Sequence, residues 1–108
     1  MSEHVVVLVT AASREEAEGL AMLLLEQRLV ACANLVSHLT SLFWWEGKLD
    51  RAEEVLLVLK TRRELVARVT DAVVAAHSYE VCEVIALPIL GGSEAYLRWI
   101  DESVAREI

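Results

Sequence analysis

The chain has 108 residues, 56% of them hydrophobic and 25% charged, which is the length and apolar content of one folded domain (1–108) and too apolar for a disordered segment. Ten Lys and Arg stand against 17 Asp and Glu, a formal charge of -7; phosphate backbones and anionic lipid are repelled, so neither nucleic acid nor a membrane surface is expected as a partner. One proline, Pro88, and four glycines punctuate the chain, which predicts regular elements joined by short connections.

Met1-Ser2-Glu3-His4 carries no basic segment, and the apolar run that follows stops at Thr10, so neither a signal peptide nor a membrane span is predicted. The β-branched run 5–10 predicts a first strand, central in its sheet or covered on both faces. Ser13 and Glu16 have the spacing of a capping box. The helix they open places Ala17, Leu20, Ala21, Leu24 and Leu25 on one face, with Glu15, Glu18, Glu26 and Arg28 opposite.

Residues 31–45 read as a strand whose alternation sets Leu35, Leu39, Phe43 and Trp45 on one side and Val36, His38, Thr40, Leu42 and Trp44 on the other. Glu46-Gly47 supplies a tight turn, and 48–60 returns as the second arm of a long hairpin. Each arm is about twice the usual strand length of five to six residues, so part of the hairpin must project from the domain. An apolar, aromatic-tipped projection is covered most economically by further copies of the chain, which predicts a homo-oligomer with Phe43, Trp44 and Trp45 in its seam.

Thr61 and Glu64 repeat the capping-box spacing and predict a second helix with core face Leu65, Val69, Ala72, Val73 and Ala76. Residues 83–89 form a short strand closed by Pro88 and Gly91-Gly92. Ser93 then caps a last helix with Tyr96, Trp99 and Ile100 on one face. The order β-α-β-β-α-β-α predicts an α+β class, ferredoxin-like βαββαβ sandwich with an added C-terminal helix.

Function has to come from side chains, because this fold hosts many unrelated activities. A metal chaperone needs a cysteine pair after the first strand, where Thr10-Ala11-Ala12-Ser13 stands. An acylphosphatase-like site needs a glycine-rich anion cradle to accompany Arg14 and Asn34, and the glycines are missing. A nucleophile and base pair is conceivable only for Cys82 with His77, oriented by Glu80 or Glu83. No enzyme is expected on these grounds.

The densest run of ligand-type side chains is 77–83, with His77, Tyr79, Glu80, Cys82 and Glu83. Imidazole and thiolate suit copper or zinc, and carboxylates complete such a sphere. The competing reading has His77 capping a helix end, Cys82 packing as a small apolar group and the glutamates in water. Lys60 is either an anion ligand in an intersubunit cleft or a solvated strand end. Cys32 and Cys82, far apart and outside any C-x-x-C pair, argue for a reducing cytoplasm.

The strings Ala31-Cys32-Ala33-Asn34-Leu35, 40–48 (Thr-Ser-Leu-Phe-Trp-Trp-Glu-Gly-Lys), Leu59-Lys60-Thr61, His77-x-Tyr79-Glu80, Glu83-Val84-Ile85, Leu87-Pro88-Ile89 and Tyr96-Leu97-x-Trp99 resemble the CutA divalent-cation tolerance family over nearly the whole chain. The resemblance implies a PII-like, ferredoxin-like homotrimer acting in tolerance of copper and other divalent cations, without an obligatory cofactor. Family copper ligands fall here on Val9, Ala76 and His77, so only His77 carries over; Cys82 and Glu83 are the neighbouring candidates. Ser37, Ser78 and Cys82 stand where the family shows prolines. The resemblance also leaves two other functions open: a PII-like sensor holding a small anion in intersubunit clefts beside Lys60, Tyr79, Glu80 and Trp99, and an assembly or anchoring factor.

Overall fold

A computed structural model describes residues 3–106; Met1, Ser2, Glu107 and Ile108 lie outside the described residues, and the reading of the N-terminal leader falls partly on them. The elements are β1 (His4–Ala11), α1 (Arg14–Glu26), β2 (Cys32–Trp45), β3 (Lys48–Arg62), a 3-10 turn (Arg63–Leu65), α2 (Val66–Ala76), β4 (Val84–Pro88) and α3 (Glu94–Ser103). The strands form one sheet in the order β2-β3-β1-β4, and each neighbouring pair is antiparallel. Two interlocked split βαβ units with an added helix result, as the order of elements predicts.

Alternation builds the core. Val5, Val7 and Val9 of β1 lie opposite Thr61, Leu59 and Leu57 of β3, and this face is sealed by Ala17, Leu20, Ala21 and Leu24 of α1 with Val69 and Val73 of α2. β1 is central, but α1 and α2 cover only this one of its faces; α3 reaches the other face at one end, through Asp101 to His4 and Arg62. The other face presents Val36, Ile85 and Leu87, each about half exposed (48%, 49% and 47%). Pro88 ends β4 opposite Val5, a place open to proline because β4 is an edge strand with no further ladder to donate to.

Three local expectations change. The Thr61 hydroxyl caps no helix; it is fully buried and donates to the Leu29 carbonyl at 2.6 Å. Pairing with β1 extends β3 to Arg62, and α2 starts only after the 3-10 turn with no side-chain cap. Ala76, expected in the core face of α2, is exposed.

The third change concerns β2. Val36 pairs with Leu56 and Leu39 with Glu54, so Ser37-His38 inserts one extra residue, with His38 at φ 65°. A bulge of this kind reverses the side-chain phase beyond it. Leu35 therefore faces the helices, while Leu39, Phe43 and Trp45 lie on the uncovered side together with Val36. Arg14 holds the bulge by donating to Ser37 Oγ at 2.9 Å. At the tip, Glu46 (φ 49°) and Gly47 (φ 79°) make the two-residue turn whose left-handed pair matches strand twist. The projecting arms give the protomer extents of 43 × 25 × 22 Å, and Leu42 and Trp44 are 74% and 71% exposed.

At the other end, α3 is capped by Ser93, which accepts from the Tyr96 amide at 3.3 Å. Ile100 is fully buried, but Tyr96 and Trp99, expected on the same packed face, are each 42% exposed. Asp101 is held by His4 Nε2 at 2.8 Å and by Arg62 Nη1, tying α3 to β1 and β3. Burial pushes the Asp101 carboxyl up, yet the bonds from His4 and Arg62 outweigh it and hold the group below its ordinary range.

His38 gives a test with two signs. The left-handed backbone costs a side chain roughly 1–2 kcal/mol, which glycine avoids at an entropic cost of roughly 0.5–1 kcal/mol. His38→Gly is expected to be neutral or stabilising by up to about 1 kcal/mol, and His38→Val destabilising by about 1–2 kcal/mol, read from urea unfolding midpoints. Leu59→Ala, at a fully buried position, is expected to cost about 2–5 kcal/mol in the same assay.

Candidate functional site

The 77–83 segment is built from the end of α2. His77 leaves helical geometry (φ -76°, ψ 144°) while its amide still donates to the Val73 carbonyl at 2.8 Å. Its side chain is fully buried. Nε2 lies 2.7 Å from the Thr10 carbonyl, and Nδ1 accepts the Tyr79 amide at 3.0 Å. This pair of contacts fixes the neutral tautomer with hydrogen on Nε2 and commits both ring nitrogens inside the protein.

Glu16 completes the latch. Its carboxylate accepts from the Ser78 amide at 2.7 Å and the Ser78 hydroxyl at 2.9 Å, and from the Ala12 amide at 3.4 Å, while its own amide donates to Ser13 Oγ at 3.1 Å. The capping box is thus half formed as expected, and the carboxylate arm is shared with the distant loop. Burial pushes Glu16 up, but the Ser78 and Ala12 donors prevail and its carboxyl sits below the ordinary range.

Tyr79 packs on His77 with ring centroids 4.8 Å apart and donates its hydroxyl to Glu54 Oε2 at 2.8 Å. Glu54 is buried, at 8% exposure. Burial first, then the Glu54 carboxylate, pushes the Tyr79 phenol up to about 12. Glu80 and Glu83 are exposed, and Cys82 is partly buried against the core.

His77, Cys82 and Glu83, grouped as metal candidates from the sequence, do not form a ready-made cluster within the protomer: among the described residues no group of three His, Cys, Asp or Glu side chains is arranged to hold an ion. The His77 nitrogens are spent on Thr10 and Tyr79, while Val9 is fully buried and Ala76 bears no donor. Glu80, Cys82 and Glu83 remain as the loop's donors.

The cleft set is likewise divided within the protomer. Tyr79 is anchored beside Glu54, whereas Lys60 lies six residues further along β3, about 20 Å at strand rise. There Lys60 Nζ contacts Asn34 Oδ1, and Trp99 packs on Tyr96 with centroids 5.4 Å apart. Glu80 is on the Tyr79 loop. Phe43, Trp44 and Trp45 stand on the projecting hairpin arm, Phe43 half-buried and the two tryptophans exposed. Sequence reasoning missed Glu16, Glu54 and Thr10 as the residues that hold the loop; the capping-box carboxylate of Glu16 was the one local signal.

An antiparallel sheet with α1 and α2 on one face and an apolar hairpin projecting from it defines an α+β sandwich of the ferredoxin-like class. A family model described as CutA1 divalent ion tolerance protein matches residues 5–103, and the chain belongs to that family. The "Divalent-cation tolerance protein CutA" of Archaeoglobus fulgidus is 46% identical over 101 residues, covering 94% of this chain and 98% of that protein. "Protein CutA, chloroplastic" of Arabidopsis thaliana is 46% identical over 99 residues, 92% of this chain and 54% of that protein; the chain spans about half the length of such plant relatives. Among solved structures, CutA1 from Oryza sativa superposes with a TM-score of 0.95 at 42% identity, covering 98% of this chain and 97% of that one. The divalent cation tolerance protein from Thermus thermophilus gives 0.92 at 40% identity, over 94% and 99%.

Two expectations follow from the latch. Folding raises the Tyr79 phenol from about 10 to about 12, so its contribution to stability is complete below about pH 10 and is lost as pH rises toward about 12. Thermal melts across that window should show Tyr79→Phe lacking part of the alkaline decline and losing about 1–3 kcal/mol near neutrality, because Glu54 is left unpaired. His77→Ala should cost about 1–3 kcal/mol for each of the two backbone groups it strands, by urea unfolding.

Proposed function

We propose that the protein acts in divalent-cation tolerance as a cytoplasmic homotrimer that binds copper or other divalent ions weakly and carries out no catalytic step. The observation that supports the assembly is the uncovered sheet face. Val36, Ile85 and Leu87 are half exposed there, and the bulge at Ser37-His38 adds Leu39, Phe43 and Trp45 to the same side. A contiguous apolar face of this kind calls for a protein cover. β2, with 14 residues on the edge of the sheet, offers its unpaired backbone to a second copy.

Weak metal binding agrees with the donors at hand. With His77 committed internally, the loop offers the thiol of Cys82 and the exposed carboxylates of Glu80 and Glu83, and these are not gathered among the described residues into the three- or four-ligand cluster of a tight transition-metal site. His77 then acts by holding the loop. The net charge of -7 favours cations over anions at the surface. Two free cysteines suit a reducing compartment. Among the described residues no helix is long and apolar enough to cross a membrane.

Sedimentation equilibrium is expected to return three times the protomer mass, and Phe43→Asp with Trp45→Glu to return the protomer. In copper titrations by calorimetry, Cys82→Ser should weaken binding about tenfold or more, the equivalent of about 1.4 kcal/mol. Equal affinity in wild type and variant would remove the loop from the site.

A further inference from the structure

A second cluster of reactive side chains lies at the opposite end of the uncovered face, where β2 begins. Cys32 pairs with Lys60 across the β2–β3 ladder, so their side chains share one side of the sheet. Lys60 Nζ is 4.0 Å from Cys32 Sγ and contacts Asn34 Oδ1, and the Cys32 thiol points to that same oxygen at 3.8 Å. Tyr96 of α3 stands beside Cys32, and its phenol is pushed up by burial first and then by the neighbouring Cys32. Tyr96 and Trp99, each 42% exposed, form the outer wall. The sulfur is half-buried and has a cation and a phenol as neighbours.

This environment differs in kind from that of Cys82, which packs against the hydrophobic core with no polar contact to its sulfur among the described bonds. It is also unlike a metal site, because an ammonium group beside the thiol repels a cation. A cation 4.0 Å from a partly open sulfur, with a phenol beside it, is the kind of setting in which a cysteine meets electrophiles.

We propose that Cys32 is a modification site: a nucleophilic thiol, set up by Lys60 and Tyr96, that reacts with hydrogen peroxide and related two-electron oxidants to give a sulfenic acid. The Cys32 thiol releases its proton to solvent and the sulfur attacks one peroxide oxygen. An S–O bond forms as the O–O bond breaks, sulfur loses two electrons, and the peroxide is reduced. The departing hydroxide takes a proton from the Lys60 ammonium, giving water, and Lys60 regains its proton from solvent. Tyr96 donates to the sulfenate oxygen after attack. The reaction is stoichiometric and independent of the metal reading, since it uses neither Cys82 nor the 77–83 loop.

The experiment exposes the intact assembled protein to hydrogen peroxide at neutral pH with dimedone present, and follows adducts at each cysteine by peptide mass spectrometry. Cys82 is the internal control. Cys32 is expected to be trapped at least about fivefold faster than Cys82, Lys60→Met to slow Cys32 about fivefold or more without changing Cys82, and Lys60→Arg to keep most of the rate. Tyr96→Phe, at a half-exposed helix position, should also slow Cys32 selectively and serves if Lys60→Met does not fold. Equal or faster trapping of Cys82, or an unchanged Cys32 rate in the variants, overturns the proposal.

Discussion

The register of β3 between β1 and β2 determines where nearly every other feature falls. Leu57 and Leu59 face Val9 and Val7 across one ladder and Leu35 and Ala33 across the other, so the odd positions of β3 carry the core. The even positions then necessarily face away from α1 and α2. Glu54, Lys60 and Arg62 belong to this second set, and each anchors a different appendage: the loop after α2, the Cys32 cluster and α3. A slip of one residue would bury these charged groups and expose the leucines, a change far larger than the few kcal/mol that separate folded from unfolded chains.

The appendages are tied by polar groups instead of apolar bulk. Thr10, Glu16 and Glu54 come from three elements and converge on His77, Ser78 and Tyr79. The loop between α2 and β4 holds no proline from 77 to 83, and hydrogen bonds restrain it. Such a network is cooperative: the His77 ring holds the Tyr79 amide, which places the phenol against Glu54. The network holds the loop as a fixed surface.

Much of the fold could be read from the chain because its signals are local. The β-branched run of β1, the Ser13 cap, the Glu46-Gly47 turn and the Ser93 cap each depend on neighbours a few positions away, and each stands where expected. The candidate site could not be read this way. His77 finds its carbonyl 67 positions back, at Thr10, and Ser78 finds Glu16 62 positions back, so nothing adjacent distinguishes a buried, committed imidazole from an open one. Glu54 follows another glutamate at the charged end of an apolar run and reads as solvated; only Tyr79 explains its burial. Thr61 matched the capping-box spacing, yet pairing of its backbone with Val5 takes precedence over local helix initiation. The bulge escaped notice because neither Ser37 nor His38 is the glycine that usually marks a left-handed residue.

That bulge also makes the hairpin a record of chain length. Upstream of it, side chains are counted from the core; downstream, every position from Leu39 to Trp45 takes its side of the sheet from the one looped-out residue. Losing a single residue at 37 or 38 would straighten the strand and keep Leu39, Phe43 and Trp45 on the uncovered face, whereas losing one at 40 or 41 would put Leu42 and Trp44 there in place of Phe43 and Trp45. Substitutions along this arm alter one contact each, whereas a one-residue deletion beyond the bulge inverts all that follow it. The segment from Leu39 to Trp45 should therefore accept sequence drift far more readily than a change in length, and the bulge is the one place where a residue can be lost without changing the pattern.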